Sequence, residues 1–465
     1  KCYNMLDLIV IGAGFSGLQA AYSAQQVGLS VVVVEARDRV GGKSWSVPLA
    51  SNRGTADLGA AWVNPSKQPR IWGYAKQFGM DKNTTVQRLT GKAVMNVKPG
   101  ERIVYPFGIT PEFAPEVKKN LEYIRDHVQA ESLKPGPPKV EDDNVSMDQY
   151  VRALGALPET CKMVNVWTKA MHGVESHEES AAYFIDYCRK NTGLLSVRGD
   201  DDQGGNYMRL HAGTQSIAKG IARLIGAHNI LLSNPVASIE NLDSHVNVYT
   251  TTGKTLRARK CIISLPSTMW KELTFNPPLP QELKTISDNT RLGNYNKVIV
   301  AWDKPWWRHL GFNGFFMSFE GGPVALGRDT SVEEKKLYAF TLFVQGDAGY
   351  EWSQKPAHER RAIILDQLAS IFDVGYDSEL YKPIEIFEMV WKGETFSRGA
   401  LVPITKIGDF TKYASVYGKP TGNLHFVGTE FAPVWKGYLE GALASGEVGA
   451  KEVAEAISSS PIAKL

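Results

Sequence analysis

The sequence predicts an α/β protein in which a parallel-sheet domain is interleaved with an α+β domain. Three observations carry this. The stretch from Leu6 to Trp45 switches from β-type to α-type periodicity and back. Later strand-like runs mix continuous apolar stretches with alternating ones, the mark of parallel and antiparallel pairing in one chain. A chain of 465 residues is also long for a single core.

The elements follow in order. In "LDLIVIGAGFSGLQAAYSAQQVGLSVVVVEARDRVGGKSW", Leu6 to Ile11 is a buried-type strand. Phe15 to Val27 is an Ala-rich helix, and Val31 to Glu35 is β-branched again, which makes one βαβ unit. Mixed apolar spacing predicts helices over 60–78, 112–130, 146–171, 355–373 and 437–457. Strands are predicted at "NVYTT", "KCIISL", "NKVIVAW", "YAFTLFV", "IEIFEMVW" and "NLHFVGT". The Pro-rich, then acidic segment 133–144 is the clearest break in pattern and reads as a surface connection.

Composition excludes several function classes. A net charge of +3, with 22% charged residues, creates no field that implies nucleic acid or an anionic membrane. No run of about 18 apolar residues suggests a transmembrane anchor. Four scattered cysteines form no C-x-x-C pair and cannot staple a chain of this size, so a reducing compartment is expected. The partner expected is a small molecule.

Gly12-x-Gly14-x-x-Gly17 follows a strand and opens a helix, the context that makes such a motif specific. Gly12 permits the tight turn and Gly14 lets the backbone approach a pyrophosphate at the helix N-terminus; Gly17 allows close helix–strand packing. Glu35 closes the second strand, where a carboxylate accepts ribose hydroxyls and repels a 2′-phosphate. Downstream, Arg37, Gly41-Gly42 and Lys43 set a second glycine pair among cations, able to approach the same pyrophosphate.

The longer pattern "EARDRVGGKSW" resembles the flavin amine oxidase superfamily, whose FAD-binding domain is Rossmann-like and of the glutathione-reductase type. Lys43 stands where that family usually has Arg, a point charge in place of a bidentate fork. The resemblance continues through "TADLGAAWV", "HAGTQSIAKGIA" and "NPVASIE", where Val236 is implied to meet the adenine side of the cofactor. It ends in "HFVGTEFAPVWKGYLEGALASG", which carries Gly428, Thr429 and Glu430 and the helix opening at Leu439. The implied division is an FAD domain from 1–80, 205–288 and 390–465, and a substrate domain from 81–204 and 289–389.

Within the superfamily the chain is most similar to monoamine oxidases of the soluble fungal type, with the fumonisin amine oxidases as the finer expectation. The likeness implies that Lys297 reaches the flavin through water and that Trp391 flanks the cofactor. Ala400 occupies the position where membrane-anchored members place a flavin-linked cysteine, so non-covalent FAD is expected. Tyr438 matches one wall of the family's aromatic cage, and Leu401 takes the place of the other. Asn206 is a further candidate at the substrate.

The implied reaction is oxidative deamination of a primary amine, long-chain or bulky, to aldehyde, ammonia and hydrogen peroxide with O2 as the oxidant. The amine must arrive neutral, which an apolar pocket favours. An L-amino-acid or polyamine oxidase on the same scaffold is the alternative, and a non-catalytic dinucleotide-fold binder is the second. Members are often homodimers. His172 and His177 lack the i,i+4 spacing of a helical metal pair, so no metal is expected. The acidic run at 200–202 reads as a solvated loop, and Trp306 and Trp307 as core anchors. The terminal Ala463-Lys464-Leu465 resembles a peroxisomal address, which suits a producer of peroxide; a cytoplasmic site is the alternative.

Overall fold

The computed structural model describes residues 5–459. The C-terminal tripeptide read above as an address lies outside them. The βαβ unit forms as the periodicity predicts. Strand Leu6–Ile11 runs parallel to Val31–Val34, with Leu8 beside Val31 and Ile11 beside Val34. Helix Phe15–Gln26 crosses between them.

These strands begin an eight-stranded sheet in the order Ile230–Leu231, Val31–Val34, Leu6–Ile11, Thr255–Ile263, Val246–Thr250, Val236–Asn241 and Thr274–Asn276. Strand Leu424–Phe426 pairs parallel to the end of Thr255–Ile263 and brings the last part of the chain back beside the first. Strands Leu6–Ile11 and Val31–Val34 are almost wholly buried because helices cover one face and further strands the other. The first helix packs on the last, Leu439–Ser458, at Gly446, where an added Cβ would lie 2.5 Å from the Ser16 carbonyl oxygen.

A second sheet of seven strands takes its residues from 92–106, 295–345 and 385–390. Its strand Tyr295–Trp302 is buried on both faces along its whole length. One face carries an aromatic core in which Trp306 and Trp307 pack with Trp302, Phe340 and Phe372, as anchors rather than surface. The other face meets helices Pro115–Leu133, Pro158–His172 and Ala181–Lys190.

Two predicted helices need correction. The stretch 146–171 is two helices, Met147–Ala153 and Pro158–His172, because Gly155 turns at φ 85° and Pro158 starts the second. Of 60–78, only Pro69–Gln77 is helical; Trp62–Val63 pairs as a strand with Met208–Leu210. Among the described residues Cys161, Cys188 and Cys261 are buried free thiols. No helix among them is long and apolar enough to cross a membrane.

Candidate active site

One cavity of about 930 Å3 runs between the two sheets. It is lined by every site residue expected from the sequence except Gly17. Gly17 lies beneath it, where a Cβ would come within 2.0 Å of the Gly12 carbonyl oxygen. That is the helix–strand packing role expected of the third glycine.

At one end the cavity is a cradle. Gly12 turns at φ 100°, and a Cβ on Gly42 would stand 3.2 Å from the Cα of Gly14. Helix Phe15–Gln26 has no side-chain cap, so its leading N–H groups remain open to an anion. Glu35 is oriented from both sides: it accepts from the Ala13 N–H at 2.6 Å and the Arg37 N–H at 2.8 Å. The Arg37 side chain pairs with Glu394, yet its buried Nε has no acceptor among the described residues. Burial lowers the Lys43 ammonium to about 8, and its Nζ donates to the Leu401 carbonyl at 2.6 Å. A glycine cradle, an oriented carboxylate and donors short of an acceptor fit a dinucleotide with a diphosphate.

The closing motif completes this end. The Gly428 N–H donates to Ser445 Oγ at 3.0 Å. Thr429 Oγ1 donates to the Tyr438 carbonyl at 3.0 Å and accepts from the Gly437 N–H at 2.7 Å, tying this loop to the start of helix Leu439–Ser458. Glu430 accepts from Ser267 N–H and Oγ at 2.9 and 2.7 Å and from Tyr417. Desolvation raises its pKa. Val236 opens a strand at a bulge on the cavity wall.

Further along stands Lys297. It turns inward and is 3% exposed. Its Nζ donates to the carbonyls of Asp57 at 2.9 Å and Gly59 at 2.5 Å, beside the rings of Trp62 and Phe343. Desolvation brings it down to about 8, against a partly compensating Asp57. Trp391 spends its indole N–H on the Leu58 carbonyl at 3.0 Å, so it serves as wall rather than donor. These contacts clamp the segment Asp57–Gly59 from two sides.

The other end is mostly apolar. Tyr438 lies 6.4 Å from Tyr187 with the ring planes 22° apart, and Gly205 leaves room for its hydroxyl, 2.9 Å from where a Cβ would be. Burial pushes its phenol up to about 12, so it is neutral. Leu401 lines the cavity as an aliphatic wall, next to Ala400 through a cis peptide. Asn206 donates to the Val197 carbonyl at 3.2 Å.

Sequence reasoning missed Tyr187, Tyr295 and Arg328, which also line the cavity. Nothing in their local pattern separates them from ordinary core residues of a buried helix and two buried strands. The acidic run is corrected: Asp201 and Asp202 are exposed, but Asp200 is buried and ion-paired with Arg328. His172 is buried with its Nδ1 2.7 Å from Glu179 Oε1 and its ring edge-on to Tyr187.

Comparison with known proteins agrees with this geometry. The chain is 27% identical over 475 residues to a probable flavin-containing monoamine oxidase A of Dictyostelium discoideum, covering 99% of this chain and 100% of the relative. It is 28% identical to human flavin-containing amine oxidase B, covering 98% and 88%. Among solved structures, putrescine oxidase bound to putrescine superposes with a TM-score of 0.88 at 24% identity, covering 98% and 99%, and shows the shared fold. Cyclohexylamine oxidase from Brevibacterium oxydans superposes with a TM-score of 0.87 at 25% identity, covering 98% and 100%. Residues 15–454 match the family described as flavin containing amine oxidoreductase, and the chain belongs to that family: it is an FAD-dependent amine-oxidising enzyme.

Proposed function

We propose that the protein deaminates primary amines oxidatively, RCH2NH2 + O2 + H2O giving RCHO + NH3 + H2O2, with a long-chain or bulky R group. One observation carries this reading: the glycine cradle and an apolar, aromatic chamber are two ends of one cavity. FAD, when bound, supplies the two-electron acceptor. The chain's own residues do the rest. Gly14, Gly42, Glu35 and Arg37 would hold the dinucleotide, and Ala400, which offers no nucleophile, leaves it non-covalent. Tyr438, Tyr187 and Leu401 strip water from the entering amine, which lowers its pKa and favours the neutral form whose lone pair drives loss of the α-hydrogen. Lys297 is held at the junction of the two ends by the Asp57 and Gly59 carbonyls.

Aliphatic Leu401 supports an alkyl over an aryl substrate. A diamine is disfavoured because Asp200, the buried acid on this part of the wall, is engaged by Arg328. A peroxide assay across butylamine, longer alkylamines and benzylamine tests the reading, with turnover expected to rise with chain length. Preference for an α-amino acid, or a purified protein without flavin, would refute it. The peroxisomal address and the division into two discontinuous domains are proposals of the same standing. Release of peroxide favours delivery beside catalase, and a reporter carrying residues 458–465 that stays diffuse would reverse the first. Limited proteolysis that spares the predicted boundaries would reverse the second.

A further inference from the structure

The cavity wall beside Trp167 contains a charge with no partner. Arg198 ends the short helix Leu194–Arg198 and lines the cavity. Its guanidinium stacks over Trp167 at 5.0 Å. Among the described residues it has neither a hydrogen-bond acceptor nor an ion-pair partner. The surroundings are rich in donors and poor in acceptors. The Trp167 indole N–H is itself without an acceptor, and Arg125, also on the wall, adds a second guanidinium whose Nε is paired with the exposed Asp126 at 2.8 Å and whose Nη1 donates to Thr110. Asp200 is the nearby acid, but Arg328 holds it.

Such an arrangement is costly unless something fills it. A half-buried guanidinium facing a cavity gives up part of its hydration, and stacking on an indole returns only a fraction of that. Burial lowers Arg198 to about 10, which leaves it charged at neutral pH. Its five N–H groups in a planar fork match a carboxylate.

Position decides which carboxylate. Lys297, Trp391 and Lys43 form one linked cluster through Asp57–Gly59 and Leu401. Arg198 makes no hydrogen bond or ion pair with that cluster; Trp167 lies under it, and the groups around it are Arg125, Tyr105, Asp200 and Cys188. An α-carboxylate lies two bonds from the amine nitrogen and would have to bind beside the reacting end. The guanidinium that faces Tyr438 and Tyr295 is Arg328, and it is already neutralised by Asp200.

We infer that Arg198, backed by Trp167 and flanked by Arg125, forms an anion subsite for a carboxylate at the far end of the amine substrate, many bonds from the nitrogen. The inference rests on the amine-oxidase reading and deepens it: the substrate is a long amine with a distal acid.

Two measurements test it. In the first, ω-amino acids from ω-aminopentanoate to ω-aminododecanoate are compared with alkylamines of equal length. At a preferred length the amino acid should exceed the alkylamine about 10-fold or more in kcat/KM, and Arg198→Met should bring that ratio close to one, with Arg198→Lys between. A ratio at or below one at every length, or one that Arg198→Met leaves unchanged, overturns the subsite. The second measurement needs no turnover: octanoate binding to the holoenzyme, followed by tryptophan fluorescence, should weaken about 10-fold in Arg198→Met. Equal binding in both proteins overturns it. If octanoate binding responds to Arg198 but no amine yields peroxide, the subsite stands and the catalytic reading fails.

Discussion

Gly14 and Gly17 show how one atom divides binding from folding. Both sit in the same motif, but a Cβ on Gly14 meets no protein atom closer than 3.9 Å, whereas on Gly17 it would meet a backbone oxygen at 2.0 Å. Gly14 has φ −73°, which alanine adopts without strain. Gly14→Ala should therefore leave the apoprotein's unfolding midpoint within about 2 °C and abolish flavin retention through gel filtration. A variant that keeps its flavin would show that the diphosphate lies elsewhere. Much at this scale was legible beforehand, because a G-x-G-x-x-G run is its own turn, cradle and packing contact. Lys297 was legible as a residue but not as a geometry: its partners are backbone carbonyls of residues remote in the chain.

At the scale of elements, the decisive contact is that of the first helix with the last. Helix Leu439–Ser458 packs on Phe15–Gln26 through Gly446, and its neighbour Ser445 fixes Gly428. Gly446→Val would push the two helices apart and loosen the flavin end with them. The expected cost is about 1–3 kcal/mol in denaturant unfolding, accompanied by weaker flavin binding. Loss of stability with flavin affinity intact would mean that the helix pair and the cradle are independent. Periodicity predicted both helices, since each buries an Ala- and Gly-rich face. It merged the two helices of 146–171, because apolar spacing alone runs straight through Gly155 and Pro158.

The whole molecule carries buried amines whose partners come from distant segments. Lys436 is the extreme case: it is 1% exposed, with its ammonium over the rings of Tyr183 and Phe410 at 4.1 and 4.7 Å. Desolvation lowers it from 10.5 to about 7. The folded state thus binds fewer protons than the unfolded state between those values, so this residue makes stability rise as pH climbs from about 7 toward 10.5. Below about 7 both states hold the proton and the penalty is present in full. Lys436→Met, an apolar replacement of similar length, should raise stability by roughly 2–4 kcal/mol at pH 6 and flatten the alkaline rise. A destabilised variant, or an unchanged pH profile, would show that the ammonium has a partner worth more than its hydration.

By itself the sequence determined the βαβ unit, the glycine cradle, the acid at the end of the second strand, the closing Gly428-Thr429-Glu430 motif and the absence of a nucleophile at Ala400. Each is local: spacing within one segment sets what the backbone can do there. Only the tertiary structure decided that Lys297 faces inward, that Tyr187 accompanies Tyr438, that Asp200 is buried against Arg328, and that Arg198 is left without an acceptor. Those are properties of groups drawn from segments well separated along the chain. A side chain's charge state and partners depend on what the opposite wall presents, and a linear pattern does not encode the opposite wall.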